Sequence, residues 1–305
     1  MTVAGATTTT TTSERLRRHV RWWRHEGLGR VLEEKDVRPG RLGEARARRR
    51  WRREHADRTE PARPVWVVGL QRSGTNMVMR VLAAMPEVDV CNEDDRRAFD
   101  RYRLRDDAVV ADVIRRTGHA VVALKPLCDS HRVLELLDGV HVGAPGRAVW
   151  VYRSLDGRVR SATSRFGDHA RRALADVAAG VGTHWQGEGL PDDTVATLAG
   201  IDWSTASPAT AQAALWWARN KLVVDLGLAD RPDVLVVSYD RLVVDPAAEV
   251  DRLVRFIGCD PRPSLAAGIA ARRPSDLVVP DVDPAVRALA GPVAATLDEL
   301  AARPA

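Results

Sequence analysis

A single short stretch limits what this chain can fold into more than any other. Val65-Trp66-Val67-Val68-Gly69-Leu70 is apolar, Gln71-Arg72-Ser73-Gly74-Thr75-Asn76 is polar, and Met77 to Met85 has helical character. An unbroken apolar run of this length fits a strand buried on both faces of a parallel sheet. Gly69 and Gly74 permit tight turning and close approach of a ligand. Ser73 and Thr75 add hydroxyl donors, Arg72 adds a planar cation, and the following helix aims its positive end at the same place. Strand, loop and helix together predict an anion site, most simply for a phosphate group.

The loop departs from the nucleoside-triphosphate pattern G-x4-G-K-[ST]. G-x4-G runs from Gly69 to Gly74, but Thr75 follows directly, the lysine is missing, and the cation sits at Arg72 inside the loop. That argues against ATP with magnesium and for a different phosphorylated nucleotide. A second strand pattern, Ala148-Val149-Trp150-Val151-Tyr152-Arg153, runs through Ser154-Leu155-Asp156-Gly157 into a helical stretch carrying Ser161 and Arg165. Those two are four apart and share one helix face. Ligands of open α/β sheets bind beyond the C-terminal strand ends. Two such ends, each offering an arginine and a serine, suit a ligand with two separated phosphates. Arg158 and Arg160 read as ordinary solvated charges.

These motifs resemble the sulfotransferase family, which uses 3′-phosphoadenosine-5′-phosphosulfate (PAPS). Gln71 to Asn76 is similar to its 5′-phosphosulfate loop, and Arg153 with Ser161, eight residues apart, to its 3′-phosphate pair. The likeness is closest to the protein-tyrosine sulfotransferase branch, where the loop continues through a helix to a Cys-Gly-Glu-Glu stretch. Here Cys91-Asn92-Glu93-Asp94 follows the same course, and Arg165 matches a cofactor-binding arginine of that branch. Ser238-Tyr239-Asp240-Arg241-Leu242 with Asp245-Pro246 resembles the family's Tyr-Glu-x-Leu…Pro segment, with Phe256-Ile257-Gly258 at the helix end that follows. Ser275-Asp276-Leu277-Val278-Val279-Pro280 resembles a segment whose serine contacts the reacting sulfate. The resemblance spans roughly residues 64 to 280. It implies that Arg72, Ser73, Gly74, Thr75, Asn76, Arg153, Ser161 and Arg165 hold PAPS, with Tyr239 packed nearby. It also implies Glu93 as catalytic base, Lys125 on the leaving phosphosulfate oxygen, and Ser275 adding a hydrogen bond. The chain departs from the family at Asn76, where a second threonine is usual. It departs again at Arg153-Ser154-Leu155-Asp156 in place of Arg-Asp-x-x-Asp, and at Val279-Pro280 where a lysine is common. The small-molecule branch places a histidine base after a Lys-Thr pair; Lys125-Pro126-Leu127 offers none.

Sulfuryl transfer resembles phosphoryl transfer in needing positioning and charge stabilisation more than covalent help. A carboxylate within reach of the acceptor hydroxyl serves as base. Glu93 follows the apolar stretch Val88 to Cys91 at the end of a second strand, crowded by Asn92, Asp94 and Asp95. The chain has 46 basic residues but only three lysines, Lys35, Lys125 and Lys221. A lysine kept at the end of Ala120-Val121-Val122-Ala123-Leu124 suits a compact point charge. Asp129 and His131, just beyond it, are candidates to line the acceptor pocket. Cys91, Cys128 and Cys259 are far apart with no ligand spacing, so no metal is expected, and their number fits a reducing compartment.

Apolar runs at 65–70, 120–124, 148–152 and 234–238 alternate with helical patterns. They predict an α/β fold of the P-loop-like kind, a mainly parallel sheet with helices on both faces. Segment 208–228 reads as an amphipathic helix with Trp216-Trp217 in the core, and segment 167–207 as an irregular region over the acceptor pocket. Three parts are expected: a threonine-rich disordered tail at 1–12, a basic helical segment at 13–63, and the sulfotransferase-like domain at 64–305. Residues 13–63 carry 17 basic and 9 acidic residues, a net +8 against +5 for the whole chain. Leu16, Val20, Trp23, Leu28 and Val31 fall at helical spacing there. The bland reading is an amphipathic helix packed on the body; the sharper one is peripheral contact with an anionic membrane. No nucleic-acid motif, membrane span or signal-peptide core is visible, so a cytoplasmic location is expected. The expected activity is sulfuryl transfer from PAPS to a hydroxyl on a small molecule or glycolipid. The competing readings are a P-loop-type nucleotide kinase and a non-catalytic nucleotide-binding module.

Overall fold

A computed structural model of the protein describes residues 41–139, 142–274 and 276–304. The helix expected around Leu16 to Val31 and the candidate Ser275 lie outside the described residues. Helix α1 (Arg41–Glu54) comes first. The chain divides into two units between Arg50 and Trp51, and everything below concerns the second. There the elements run β1 (Arg63–Gly69), α2 (Thr75–Ala83), β2 (Val88–Cys91), β3 (Phe99–Asp100), β4 (Arg103–Leu104), α3 (Asp107–Arg116), β5 (Val121–Leu124), α4 (Val133–Asp138) and β6 (Arg147–Tyr152). They continue with α5 (Leu155–Phe166), α6 (His169–Ala178), α7 (Asp192–Ala199), α8 (Pro208–Asp225), β7 (Val234–Ser238), α9 (Tyr239–Val244), α10 (Pro246–Phe256), α11 (Pro263–Ala266) and α12 (Pro284–Ala302).

Each of the apolar runs read from the sequence is a strand of one sheet, ordered β2-β5-β1-β6-β7 and parallel throughout. Val65 is registered with Ala123 of β5 on one side and with Arg147 of β6 on the other. The chain lays down β1, steps out to β2, fills the gap with β5, and then crosses to the far side of β1 for β6 and β7. Growth of the sheet reverses at β1, which is where open α/β sheets leave a ligand crevice.

Period-two alternation along the strands builds two cores. Trp66, Val68, Trp150 and Tyr152 face a layer that includes α5, α8 and α12. Val65, Val67, Val149 and Val151 face the other, with Val78 and Leu82 of α2 and Leu253 of α10. All eight strand residues are buried, and a fully buried aliphatic or aromatic side chain contributes roughly 1.5–3 kcal/mol.

Two expectations need correction. Helix α8 starts where expected, with the Ser207 hydroxyl accepting from the Thr210 amide and proline in its first turn. It is not amphipathic, however, being buried nearly all round. Ala209, Ala211, Ala213, Ala214 and Ala218 are small enough for α5, α6 and α12 to close on it from several sides. Trp216 and Trp217 are core residues, as expected. Segment 167–207 is also more regular than expected. It holds α6 and α7; the connection between them, with left-handed Gly180, Gly182 and Gly189, and the stretch 200–207 after α7 are irregular.

Candidate active site

The loop after β1 owes its shape to three left-handed residues. Gly69 has φ 123°, and a Cβ there would lie 2.3 Å from the Val151 carbonyl oxygen of the neighbouring strand. Gly74 has φ 98°, and its Cβ would lie 2.4 Å from the Tyr239 ring. Between them Arg72 holds φ 72° without being glycine, a conformation costing about 1–3 kcal/mol that surrounding contacts must sustain. Ser73 is fully buried, and its hydroxyl has no hydrogen-bond partner. Thr75 is buried at the start of α2, whose N-terminus has no side-chain cap. A buried hydroxyl left unpaired at an uncapped helix N-terminus is what an anion-binding loop offers an anion.

The second half of the site stands at the end of β6. Arg153 follows the strand with its carbonyl held by Trp216 Nε1 at 2.8 Å. Its guanidinium lies 4.6 Å from the Tyr239 ring centroid, and its Nε is buried without a partner. Arg272 approaches the same ring at 5.8 Å and bonds the Tyr239 hydroxyl. Tyr239 therefore backs Gly74 of the loop and sits within reach of two cations. The halves meet directly: Arg72 Nε donates to Ser161 Oγ of α5 at 3.1 Å. Arg165 lies one turn further along α5, over the Phe166 ring.

The catalytic candidates also come together. Lys125, nearly buried at the end of β5, donates to Asn76 Oδ1 at 2.7 Å and lies 3.6 Å from Glu93 Oε1. Asn76, the departure from the usual threonine, thus holds Lys125 between the loop and Glu93. The acids next to Glu93 in sequence sit in different surroundings. Asp95 is engaged by Arg97 at 2.8 Å, Arg97 also pairs with Asp89, and Asp94 is exposed. Beside Glu93, burial first and then neighbouring carboxylates push Cys128 up to about 12, and burial does the same to Cys91. Neither thiol is a nucleophile at neutral pH. The segment after Lys125 is tied to the end of β1 by Ser130, whose hydroxyl exchanges hydrogen bonds with the Gly69 amide and carbonyl at 3.2 Å.

Residues 62–271 match the sulfotransferase domain. The chain belongs to the sulfotransferase domain family. The match takes in the loop, Glu93, Lys125, Arg153, Ser161, Arg165 and Tyr239, and stops short of Ser275. Among solved structures, mouse sulfotransferase SULT7A1 complexed with PAP is 11% identical, covering 73% of this chain and 71% of that one at a TM-score of 0.37. The sulfotransferase domain from the Synechococcus PCC 7002 olefin synthase is 16% identical, covering 80% and 95% at a TM-score of 0.38. No curated protein matches the sequence. Family and fold class are thus as the sequence motifs implied. Among the described residues no helix is long and apolar enough to cross a membrane, and no three His, Cys, Asp or Glu side chains cluster to hold a metal.

The sulfotransferase domain also contains groups that the sequence reading misassigned or missed. Arg158 is not a solvated charge: it is 1% exposed. It donates to Gln212 Oε1 at 2.6 Å, to the Gln212 carbonyl at 2.9 Å and to the Gln71 carbonyl at 3.3 Å. Burial, together with the nearby Arg72 cation, pushes it down to about 9, which leaves it charged at neutral pH. A signal was available, since Leu155, Arg158, Val159 and Ala162 fall on one helical stripe, the face that a helix buries. Asp156, in the turn that departs from Arg-Asp-x-x-Asp, has a tertiary role. It accepts two hydrogen bonds from Arg287 at 2.9 Å and one from the Val279 amide at 2.7 Å. This ties the start of α5 to the segment that follows Ser275.

Proposed function

We propose that this sulfotransferase moves a sulfuryl group from PAPS to a hydroxyl of a small-molecule or glycolipid acceptor, in line, with Glu93 as base. What carries the reading is the pair of buried donor atoms without partners, Ser73 Oγ and Arg153 Nε, one at each of two strand ends. A ligand with two separated anionic groups answers both. Arg72, Ser73, Gly74, Thr75 and Asn76 take the 5′ end. Arg153, Ser161 and Arg165 take the 3′-phosphate, and Tyr239 packs beside them. When bound, PAPS supplies the sulfuryl group: the acceptor oxygen forms the new S–O bond as the bond to the phosphate oxygen breaks, and the electron pair leaves with PAP.

The chain's own residues do the rest. Glu93 takes the proton of the acceptor hydroxyl. Lys125, fixed by Asn76 at 2.7 Å, offsets charge growing on the phosphate oxygen. Ser275 adds a hydrogen bond on the strength of the family resemblance alone. Protonated Cys91 and Cys128 leave the carboxylate as the basic group of the pocket.

Calorimetric titration with PAP, with ATP and magnesium as control, tests the donor assignment. Micromolar PAP binding without metal is the expected result. Binding of ATP with magnesium and not of PAP would overturn it in favour of a nucleotide kinase.

A further inference from the structure

Beyond Glu93 the chain builds a second polar cluster that the transfer chemistry does not use. Arg103 of β4 donates to Asp129 Oδ1 at 2.8 Å and grips Glu188 through two bonds of 2.9 and 2.6 Å. The His131 ring lies 3.7 Å from Glu188, and the side chain packs against Gly189, where a Cβ would come within 2.4 Å of the His131 Cβ and 2.9 Å of its ring. Arg219 of α8, 2% exposed, donates to the Glu188 carbonyl at 2.7 Å and to the Trp185 carbonyl at 3.3 Å, and stands 5.7 Å from the Trp185 ring centroid. Cys128 joins this cluster to the base, lying close enough to feel the charges of Glu93, Asp129, Arg103 and Arg219. A cleft of about 280 Å³ opens along the same loop and is lined in part by Glu188.

Three buried polar atoms here have no partner: Arg219 Nη2, Gln186 Oε1 and His131 Nδ1. They are a fixed donor, a fixed acceptor and a group that serves as either. Leaving such groups unpaired costs free energy, so each demands an explanation. The charges of the cluster cancel, with Arg103 and Arg219 against Asp129 and Glu188. It therefore offers no net field for an anion, in contrast to the donor loop.

We infer that Arg219, Gln186 and His131 form the acceptor subsite, and that the acceptor is a neutral polyhydroxylated molecule of the sugar type. Each hydroxyl of such a molecule both donates and accepts, which matches the mixed set of unpaired atoms. Burial, and next the Arg219 cation, lower the His131 pKa, so the ring is neutral at neutral pH. The inference rests on the sulfotransferase reading above, with Glu93 next to the reacting hydroxyl.

The test uses radiolabelled PAPS with three acceptor sets: neutral glycosides, phenols and simple alkanols. Transfer to glycosides is expected, with the other sets at least tenfold poorer. Gln186→Leu removes a buried amide oxygen that has no partner, so a purely structural role predicts unchanged or higher thermal stability and unchanged kinetics. The subsite predicts at least a fivefold rise in glycoside KM with PAP affinity unchanged. His131→Asn, which keeps a polar atom near the Nδ1 position, should hold KM where His131→Leu raises it. Equal transfer to phenols or alkanols, no transfer to any glycoside, or a KM unmoved by Gln186→Leu would overturn the inference while PAP binding still supported the donor reading. Absence of PAP binding by the unaltered chain would instead remove the donor reading itself.

Discussion

The two sides of the crevice hold unpaired buried groups of different kinds. On the donor side, Arg158 is a fully buried cation whose hydrogen bonds run to Gln212 and Gln71, with Arg72 close enough to lower its pKa. Arg153 lies over Tyr239 with an unpartnered Nε. Positive charge is concentrated there without a matching carboxylate among those bonds. On the acceptor side, Arg103 bonds both Asp129 and Glu188, and the unpaired atoms are a mixture of donor and acceptor. A buried charge left uncompensated is costly, and a charged ligand restores the balance. A balanced cluster calls only for hydrogen bonds. On the proposed assignment, one crevice discriminates a polyanionic donor from a neutral acceptor by charge as well as by shape.

The largest expected effect separates chemistry from binding. Glu93→Gln should lower turnover by roughly 10²–10⁴-fold, the range for loss of a general base, with PAP affinity by calorimetry unchanged. Near-normal turnover in that variant would remove Glu93 from the role of base. Arg153→Ala should weaken PAP by about 1.5–3 kcal/mol, roughly 10- to 150-fold, as expected for a hydrogen bond to a charged group. Acceptor KM should stay put, and unchanged PAP affinity would detach Arg153 from the donor side. Ser73→Ala should cost about 1.5 kcal/mol of PAP binding while leaving the melting temperature unchanged or slightly raised, because the hydroxyl is unpaired in the fold. A lowered melting temperature with intact affinity would make Ser73 structural. Among the three donor-side variants, Arg158→Met should show the smallest loss of PAP affinity, about 1 kcal/mol or roughly fivefold by weakened loop placement and lost field. It should also lower the melting temperature, since Gln212 Oε1 loses its donor. Arg158→Lys keeps the charge but not the planar fork, so recovery of PAP affinity without recovery of stability would separate the two contributions.

The geometry of the loop after β1 was largely legible in the sequence. The loop is contiguous, from Gly69 to Asn76, and local physics already demands glycine where φ is positive and donors where a helix begins. The strand ends were equally readable from four apolar runs. Arg158 was misread because its type suggested solvent while its stripe with Leu155, Val159 and Ala162 pointed inward. Helix α8 was misread because a helix buried on every side has no polar face to set the pattern, as its buried Gln212, Arg219 and Asn220 show.

The parallel α/β sheet, the family and the shape of the loop after β1 are written in the sequence, because these depend on periodicity and on residues adjacent in the chain. Tertiary structure alone decided what surrounds the acceptor. His131 follows β5, Gln186 and Glu188 lie on the connection from α6 to α7, Arg219 is on α8 and Arg103 is on β4. No local pattern links these positions. They become neighbours only when α8 is buried against the sheet and the glycine-containing connection folds over it, and only then do their charges cancel and their unpaired atoms face a common task.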